Sequence, residues 1–294
     1  MTKVAAFLFY LREKKRFSVS TIRGYKSMLA SVFKFCYREV FEDPLLTDLL
    51  RSFEVEIPKK SLQQPQWDLD EVLKALMAPP YEPLRSANLR LLTKKALFLL
   101  ALSTAKRLGE LHALSSAVAM KGEDLVVSYL PEFRAKTETE SRPLPREYVV
   151  RSLSTFVGGQ EPDRFLCPVR ALRYYLDRVK SVEQRPRSLF VSLKNNSRSL
   201  SKNGMSFLLR EVISEAQSSR QIRSSTSRGS GPHSIRGYST SMSFWSNVSM
   251  PSILKAATWR SNSVFASHYL RDVQYIYDSV RSLGLIVAAG GVIS

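Results

Sequence analysis

Apolar and polar positions alternate along this chain mostly with the period of a helix, interrupted once by a short region of strand character. Val4, Phe7, Leu8 and Leu11 recur at spacings of three and four, which places them on one helical face. Ile22, Tyr25, Leu29, Val32, Phe33 and Cys36 form a second stripe, with Ser20 positioned to cap it. The prolines and glutamines of residues 57–66 break the period and read as an extended connection. A helix opens at residues 67–76, where Asp68 and Glu71 have the spacing of a capping box. Residues 86–104 carry a long helix that is apolar nearly all round after Ala96, hence buried, and helical character continues over 107–114. Residues 125–129 alternate as a strand, and 146–150 return beside it across a polar, lysine-containing connection. Further helices are predicted over 168–182 (Pro168 at a first helical position), 201–216, 233–244, 251–258 and 261–270, with a short strand at 189–191 and a serine- and arginine-rich loop over 218–231. The expected architecture is mainly α with a small antiparallel β-sheet. A helical domain occupies 1–53, a linker 54–66, a mixed α+β domain 67–283 and a tail 284–294.

Composition adds a partner to this picture. The 294 residues are 44% hydrophobic, enough for packed cores, and 44 Lys+Arg against 26 Asp+Glu leave a formal charge of +18. That excess points to a polyanion, nucleic acid before an anionic membrane surface. Residues 146–237 concentrate it, with 17 Lys/Arg against 7 Asp/Glu, the distribution that phosphate binding with counterion release requires. Arg23 and Lys26, lying off the second stripe, and Arg210 are candidate nucleic-acid contacts, although any one of them also reads as part of a solvated face. Apolar runs such as 96–102 fall far short of the roughly 20 residues that cross a bilayer. The first residues lack the order of a secretory signal, so an intracellular protein without membrane partners is expected. Cys36, Cys167 and three histidines make neither a disulfide framework nor a closed zinc site, and neither a P-loop nor a dinucleotide fingerprint follows a strand. No cofactor and no metal are expected, and any chemistry must come from ordinary side chains.

Three segments could supply it. In Pro232-His233-Ser-Ile-Arg236 the imidazole and guanidinium lie on one helical face, one able to move a proton and the other to hold an oxyanion bidentately. In isolation the same residues read as a capped helix with an exposed arginine. Arg107-Leu-Gly-Glu110 follows a hydrophobic helix, where a cation is costly unless paired or used, and Glu110 is spaced to pair with it. An ordinary surface ion pair has the same spacing. Near the C-terminus, Tyr269 follows Trp259 by ten residues, on a short helix after a Ser/Asn turn. It reads as packing or as a nucleophile. His268 points roughly 100° away around the helix and is no obvious base for it.

Taken in order, Arg107, Lys136, His233, Arg236, Trp259 and Tyr269 resemble the catalytic set of the tyrosine recombinase (phage integrase-like) family. That pattern is an arginine in RxxEL, a lysine on a β-hairpin, an HxxR box, a His or Trp, and a C-terminal tyrosine. The likeness spans residues 1 to about 275, since the N-terminal helices are similar to the family's core-binding domain. Trp67-Asp-Leu-x-x-Val-Leu-x-x-Leu76, Phe133-x-x-Lys136, Leu166-Cys-Pro-Val-Arg-Ala-Leu172 and Trp259-x-Ser with Phe265-x-x-His-Tyr-Leu270 resemble the recombinases of DIRS-type retrotransposons. Phe244 and Trp245 depart from the pattern, standing where small residues are expected, and Lys121 competes with Lys136 for the hairpin role.

The resemblance implies an enzyme that cleaves and rejoins double-stranded DNA through a 3′-phosphotyrosyl intermediate, for integration of a mobile element in a eukaryotic nucleus. It implies that Arg107 and Arg236 clamp the phosphate, Tyr269 attacks, His233 assists the proton, Lys136 protonates the leaving oxygen, Trp259 packs the site and Glu110 orients Arg107. It further implies a tetramer on DNA, with a helix over 272–283 contacting a neighbouring subunit. Other readings are a catalytically inactive DNA-binding relic of the same fold, a type IB topoisomerase and a basic membrane-surface protein.

Overall fold

A computed structural model of the chain describes residues 2–33, 41–55, 67–136, 138–141, 143–155, 162–218, 231–259 and 261–271. The chain divides into two compact units, residues 1–61 and 62–294. The expected linker over 56–66, the loop over 219–230, Cys36, the helix over 272–283 and the tail 284–294 lie outside the described residues.

The first unit contains α1 (Thr2–Glu13), α2 (Val19–Val32) and α3 (Pro44–Val55). Its core joins Leu8 and Leu11 of α1, Val19 and Ile22 of α2, and Leu46, Leu50 and Phe53 of α3. Three details differ from the sequence reading. Ser18, not Ser20, caps α2, because its side chain accepts from the Thr21 N–H at 3.2 Å while Ser20 is already inside the helix. Toward the end of the second stripe Val32 is 69% exposed. A helical period reveals an amphipathic face, not the length of the partner that packs on it. Glu54 and Val55, read as linker, are the last residues of α3.

The second unit begins with α4 (Leu69–Met77), capped by the Asp68 carboxylate, which accepts from the N–H groups of Asp70 and Glu71. Next comes α5 (Leu89–Thr104), buried without interruption from Leu92 onward. It starts at Leu89 rather than 86 because the Asn88 side chain caps it, accepting from Leu91 at 2.9 Å. A five-residue α6 (Leu108–His112) follows, then the strands β1 (Leu114–Lys121), β2 (Asp124–Tyr129) and β3 (Glu147–Val150), antiparallel in the order β1-β2-β3. Leu125 pairs with Val150 and Val127 with Tyr148, which sets Leu125, Val127, Tyr148 and Val150 into the core. Strand β1 has no counterpart in the sequence pattern, which predicts helix up to its first residue. It lies at the edge of the sheet, mostly exposed and built from small residues, so it carries almost no buried alternation. Residues 189–191, expected as a strand, make only isolated bridges (Ser115 with Ser188, Val191 with Ser199).

Around α5 pack α7 (Pro168–Val179), α8 (Lys202–Ser218) and α9 (Pro232–Trp245), followed by α10 (Met250–Ala256) and α11 (Asn262–His268). Two buried charges fix this arrangement. Lys95 of α5 donates to Glu82 at 2.5 Å and to the Leu76 carbonyl at 2.6 Å, and Arg170 of α7 grips the same carboxylate through both Nη atoms. Among the described residues no helix is long and apolar enough to cross a membrane.

Candidate active site

Three segments distant in sequence meet at Glu110. Helix α5 ends where Ala105 takes a left-handed conformation (φ 52°), and the chain then runs extended into Arg107, the N-cap of α6. Arginine has no acceptor with which to cap a helix. Glu110 does the work in reverse, its Oε2 accepting from the Arg107 backbone N–H at 2.6 Å. The R-x-x-E spacing is thus first a helix start.

The same carboxylate, 2% exposed, is then shared. Its Oε1 lies 3.4 Å from Arg107 Nη1 and accepts from the Thr258 hydroxyl at 3.2 Å, and its Oε2 lies 3.8 Å from Arg236 Nη1. Arg107 Nη1 also donates to Thr258 Oγ1 at 3.2 Å. Two guanidiniums whose positions are 129 residues apart in numbering therefore share one counter-charge.

Arg236 is held by its helix. The Trp67 indole donates to Ser234 Oγ at 3.0 Å, its ring packs 4.3 Å from that of Tyr238 at a tilt of 45°, and the Tyr238 hydroxyl donates to the Trp67 carbonyl. These ties turn α9 so that Arg236 points inward, 1% exposed, with Nη2 donating to the Ala257 carbonyl. Its Nε and Nη1 have no hydrogen-bond partner among the described residues. A buried guanidinium with unused donors is a strong oxyanion receptor. Burial, and next the nearby Arg107 charge, push its pKa down to about 10, with Glu110 opposing. It remains a cation at neutral pH.

Aromatic rings cover it. The guanidinium carbon of Arg236 lies 4.7 Å from the Trp259 ring centroid and 5.5 Å from that of Tyr269, and the two rings are 4.5 Å apart. Tyr269 terminates α11, and α9 holds its backbone. Ser241 Oγ donates to the Tyr269 carbonyl at 3.0 Å and accepts from the Arg271 N–H at 2.8 Å, and the Trp245 indole donates to the Arg271 carbonyl at 2.9 Å. Phe244 packs 5.5 Å from Phe265 of α11. The two bulky residues that departed from the family pattern thus anchor the segment bearing Tyr269. At Gly237 a Cβ would stand 3.2 Å from the Tyr269 carbonyl oxygen, so a side chain there would have to push that carbonyl back by a few tenths of an ångström.

His233 lies one helical turn before Arg236, at the surface. Partial desolvation, then the charges of Arg236 and Arg107, lower its pKa from the usual 6.5. The imidazole is neutral at pH 7 and can take a proton. The two lysines weighed for the hairpin role lie at the ends of the sheet's hairpins. Lys136 is exposed in the β2–β3 connection, and Lys121 is exposed at the end of β1 opposite Asp124. No hydrogen bond or ion pair found among the described residues joins either to the arginine cluster. Arg23 pairs with Glu54 at 3.0 Å, Lys26 is half-buried on α2, and Arg210 is exposed on α8.

Two members of the cluster escaped the sequence reading. Thr258 is one. The other is Lys106, partly buried, with Nζ 4.8 Å from the Tyr148 ring centroid. Burial lowers its pKa, Glu110 raises it, and Arg236 and Arg107 lower it further. The cost of a cation after an apolar helix bears on Lys106 as much as on Arg107. Among the described residues there is no group of three or more His, Cys, Asp or Glu able to hold a metal.

No protein-family model matches the chain, and no curated protein does. Among solved structures it is similar to one titled "Crystal structure of XerA recombinase", at 16% identity over 93% of this chain and 86% of that one, with a TM-score of 0.47. It is also similar to "Integrase from mycobacterium phage Brujita", at 14% identity over 99% of this chain and 79% of that one, with a TM-score of 0.40.

Proposed function

We propose that this chain is a tyrosine recombinase or integrase, cleaving and rejoining duplex DNA by cofactor-independent transesterification. One observation carries the reading: Arg107 and Arg236 share Glu110, with the Tyr269 ring 5.5 Å from the Arg236 guanidinium. Paired guanidiniums neutralise the charge that develops on the non-bridging oxygens of a phosphodiester under attack. A phenol is a weak nucleophile near neutral pH, so it needs a base and an electrophile already neutralised.

In the forward step the Tyr269 oxygen bonds to phosphorus and the bond to the 5′-oxygen breaks. The phenolic proton passes to neutral His233, and the departing oxygen takes a proton from a lysine, Lys136 first and Lys121 as the alternative. The products are a 3′-phosphotyrosyl link and a free 5′-hydroxyl. Attack by a hydroxyl of another strand runs the step backwards and exchanges strands with no outside energy source. Trp259 packs the site, and Glu110 orients Arg107. Arg23, Lys26 and Arg210 contact the DNA backbone.

The finer assignment is a DIRS-type element's recombinase, acting in a eukaryotic nucleus as a tetramer on paired sites. It is supported by the Trp67, Phe133, Leu166 and Trp259 motifs. A second reading, a DNA-binding relic without cleavage, is favoured by the cover over Arg236, which at 1% exposure admits a phosphate only after Trp259 and Tyr269 shift.

Incubation with a nicked suicide duplex decides between them. Wild-type protein should give a covalent protein–DNA band on a denaturing gel, and Tyr269→Phe should give none while binding DNA within about twofold of wild type. A band that survives the substitution removes Tyr269 as nucleophile, and absence of any wild-type band leaves the relic.

A further inference from the structure

Thr258 has a backbone conformation that its side chain disfavours. Its φ is 53°, in the left-handed region where a β-branched residue is a true outlier and glycine is at home. It is 9% exposed, at the turn between α10 and Trp259. Such a conformation persists only where the surroundings hold it, and it is a reason to look for a task.

The surroundings are the arginine cluster. The Thr258 hydroxyl gives its one proton to Glu110 Oε1 and receives one from Arg107 Nη1, both at 3.2 Å. The preceding carbonyl, that of Ala257, receives Arg236 Nη2. The following side chain, Trp259, stacks on Arg236. Three consecutive residues of one turn therefore touch both guanidiniums. Arg107 Nη1 is occupied by Glu110 and Thr258, while its Nε and Nη2 make no hydrogen bond among the described residues. Fixing one corner of a planar fork fixes the direction of the rest.

We infer that Thr258 is a positioning residue for Arg107, its hydroxyl locking the guanidinium plane so that the unused edge faces the phosphate. The inference rests on the proposed function. A turn that needed only left-handed backbone would be better served by glycine, so the side chain is explained by its hydroxyl. Nothing in the surrounding pattern of apolar residues would have selected it, because its partners lie 148 and 151 residues away in sequence.

Three variants separate hydroxyl from strain. Thr258→Val keeps the branching and removes the hydroxyl, Thr258→Gly removes both strain and hydroxyl, and Thr258→Ser keeps the hydroxyl. Adduct formation on saturating nicked duplex should slow about 10- to 100-fold in the Val and Gly variants, the loss of one hydrogen bond to a charged group. DNA dissociation constants should stay within about twofold, and the Ser variant should cleave within a few-fold of wild type. The Gly variant should melt no lower than wild type while cleaving as slowly as Val. Wild-type cleavage by the Gly or Val variant overturns the inference, as does an equal loss in Ser. If wild-type protein forms no adduct, the proposed function fails separately, and the Arg107 Nε–Hε NMR signal still decides. Titrated with inorganic phosphate, it should respond in wild type and Ser several-fold more strongly than in Val, and identical titrations overturn the inference.

Discussion

Glu110→Gln tests the shared counter-charge directly. Glutamine keeps the size of the side chain and can still accept from the Arg107 backbone N–H, so helix α6 should start as before. The change removes the negative charge 3.8 Å from Arg236 and 3.4 Å from Arg107. At the Arg236 distance, an effective dielectric constant near 20 gives an attraction of about 4 kcal/mol. The Arg107 pair adds less than about 1 kcal/mol because that side chain is 23% exposed and screened by solvent. The amide dipole and entering water recover part of this, leaving a destabilisation of about 2–4 kcal/mol, in keeping with removal of one partner from a buried pair. For a unit of this size that is a fall in Tm of about 5–12 °C.

Calorimetry in chloride measures the loss, and repeating it in phosphate at equal ionic strength identifies its cause. An anion seated between the two guanidiniums restores the missing charge, so phosphate should raise the Tm of the Gln variant more than that of wild type. A Tm within about 2 °C of wild type, together with equal responses to phosphate, would refute the claim that the two cations depend on Glu110.

The depressed pKa of His233 sets a pH dependence. As a base it works neutral, so adduct formation should hold steady as pH drops to about 6.5 and decline only below it, as the imidazole protonates. His233→Gln should remove that acid limb, and a rate–pH profile unchanged by the substitution would show that another group takes the proton. Gly237→Ala would normally stabilise a helix, by about 1 kcal/mol. Here its Cβ meets the Tyr269 carbonyl at 3.2 Å, so cleavage should slow at least tenfold with no loss of DNA binding, and an unaffected rate on the nicked duplex would show that the Tyr269 segment need not sit so close to α9.

Reading the chain as sequence located the helices and most of the side chains that gather around Glu110 and Arg236, because those signals are local. A buried α5 announces itself by apolar residues on every side. Arg107 and Glu110, or His233 and Arg236, are neighbours on a single turn whatever the rest of the fold does. What escaped was either too weakly patterned or too far apart. Strand β1 is an edge strand of small, exposed residues, and its pairing with β2, not its own composition, makes it a strand. Phe244 and Trp245 looked misplaced until the segment carrying Tyr269 was seen to rest on them.

The amino-acid order by itself determined a basic, mainly helical chain carrying two guanidiniums, an imidazole and a C-terminal phenol in a telling succession, since charge and helical period are written residue by residue. Only the tertiary structure decided that Arg236 meets the carboxylate that Arg107 already pairs with, and that Thr258 joins them at the cost of a left-handed backbone. The contacts of Arg236 and Thr258 with Glu110 cross more than a hundred residues, and a sequence carries no local signal for a partner that folding alone brings near.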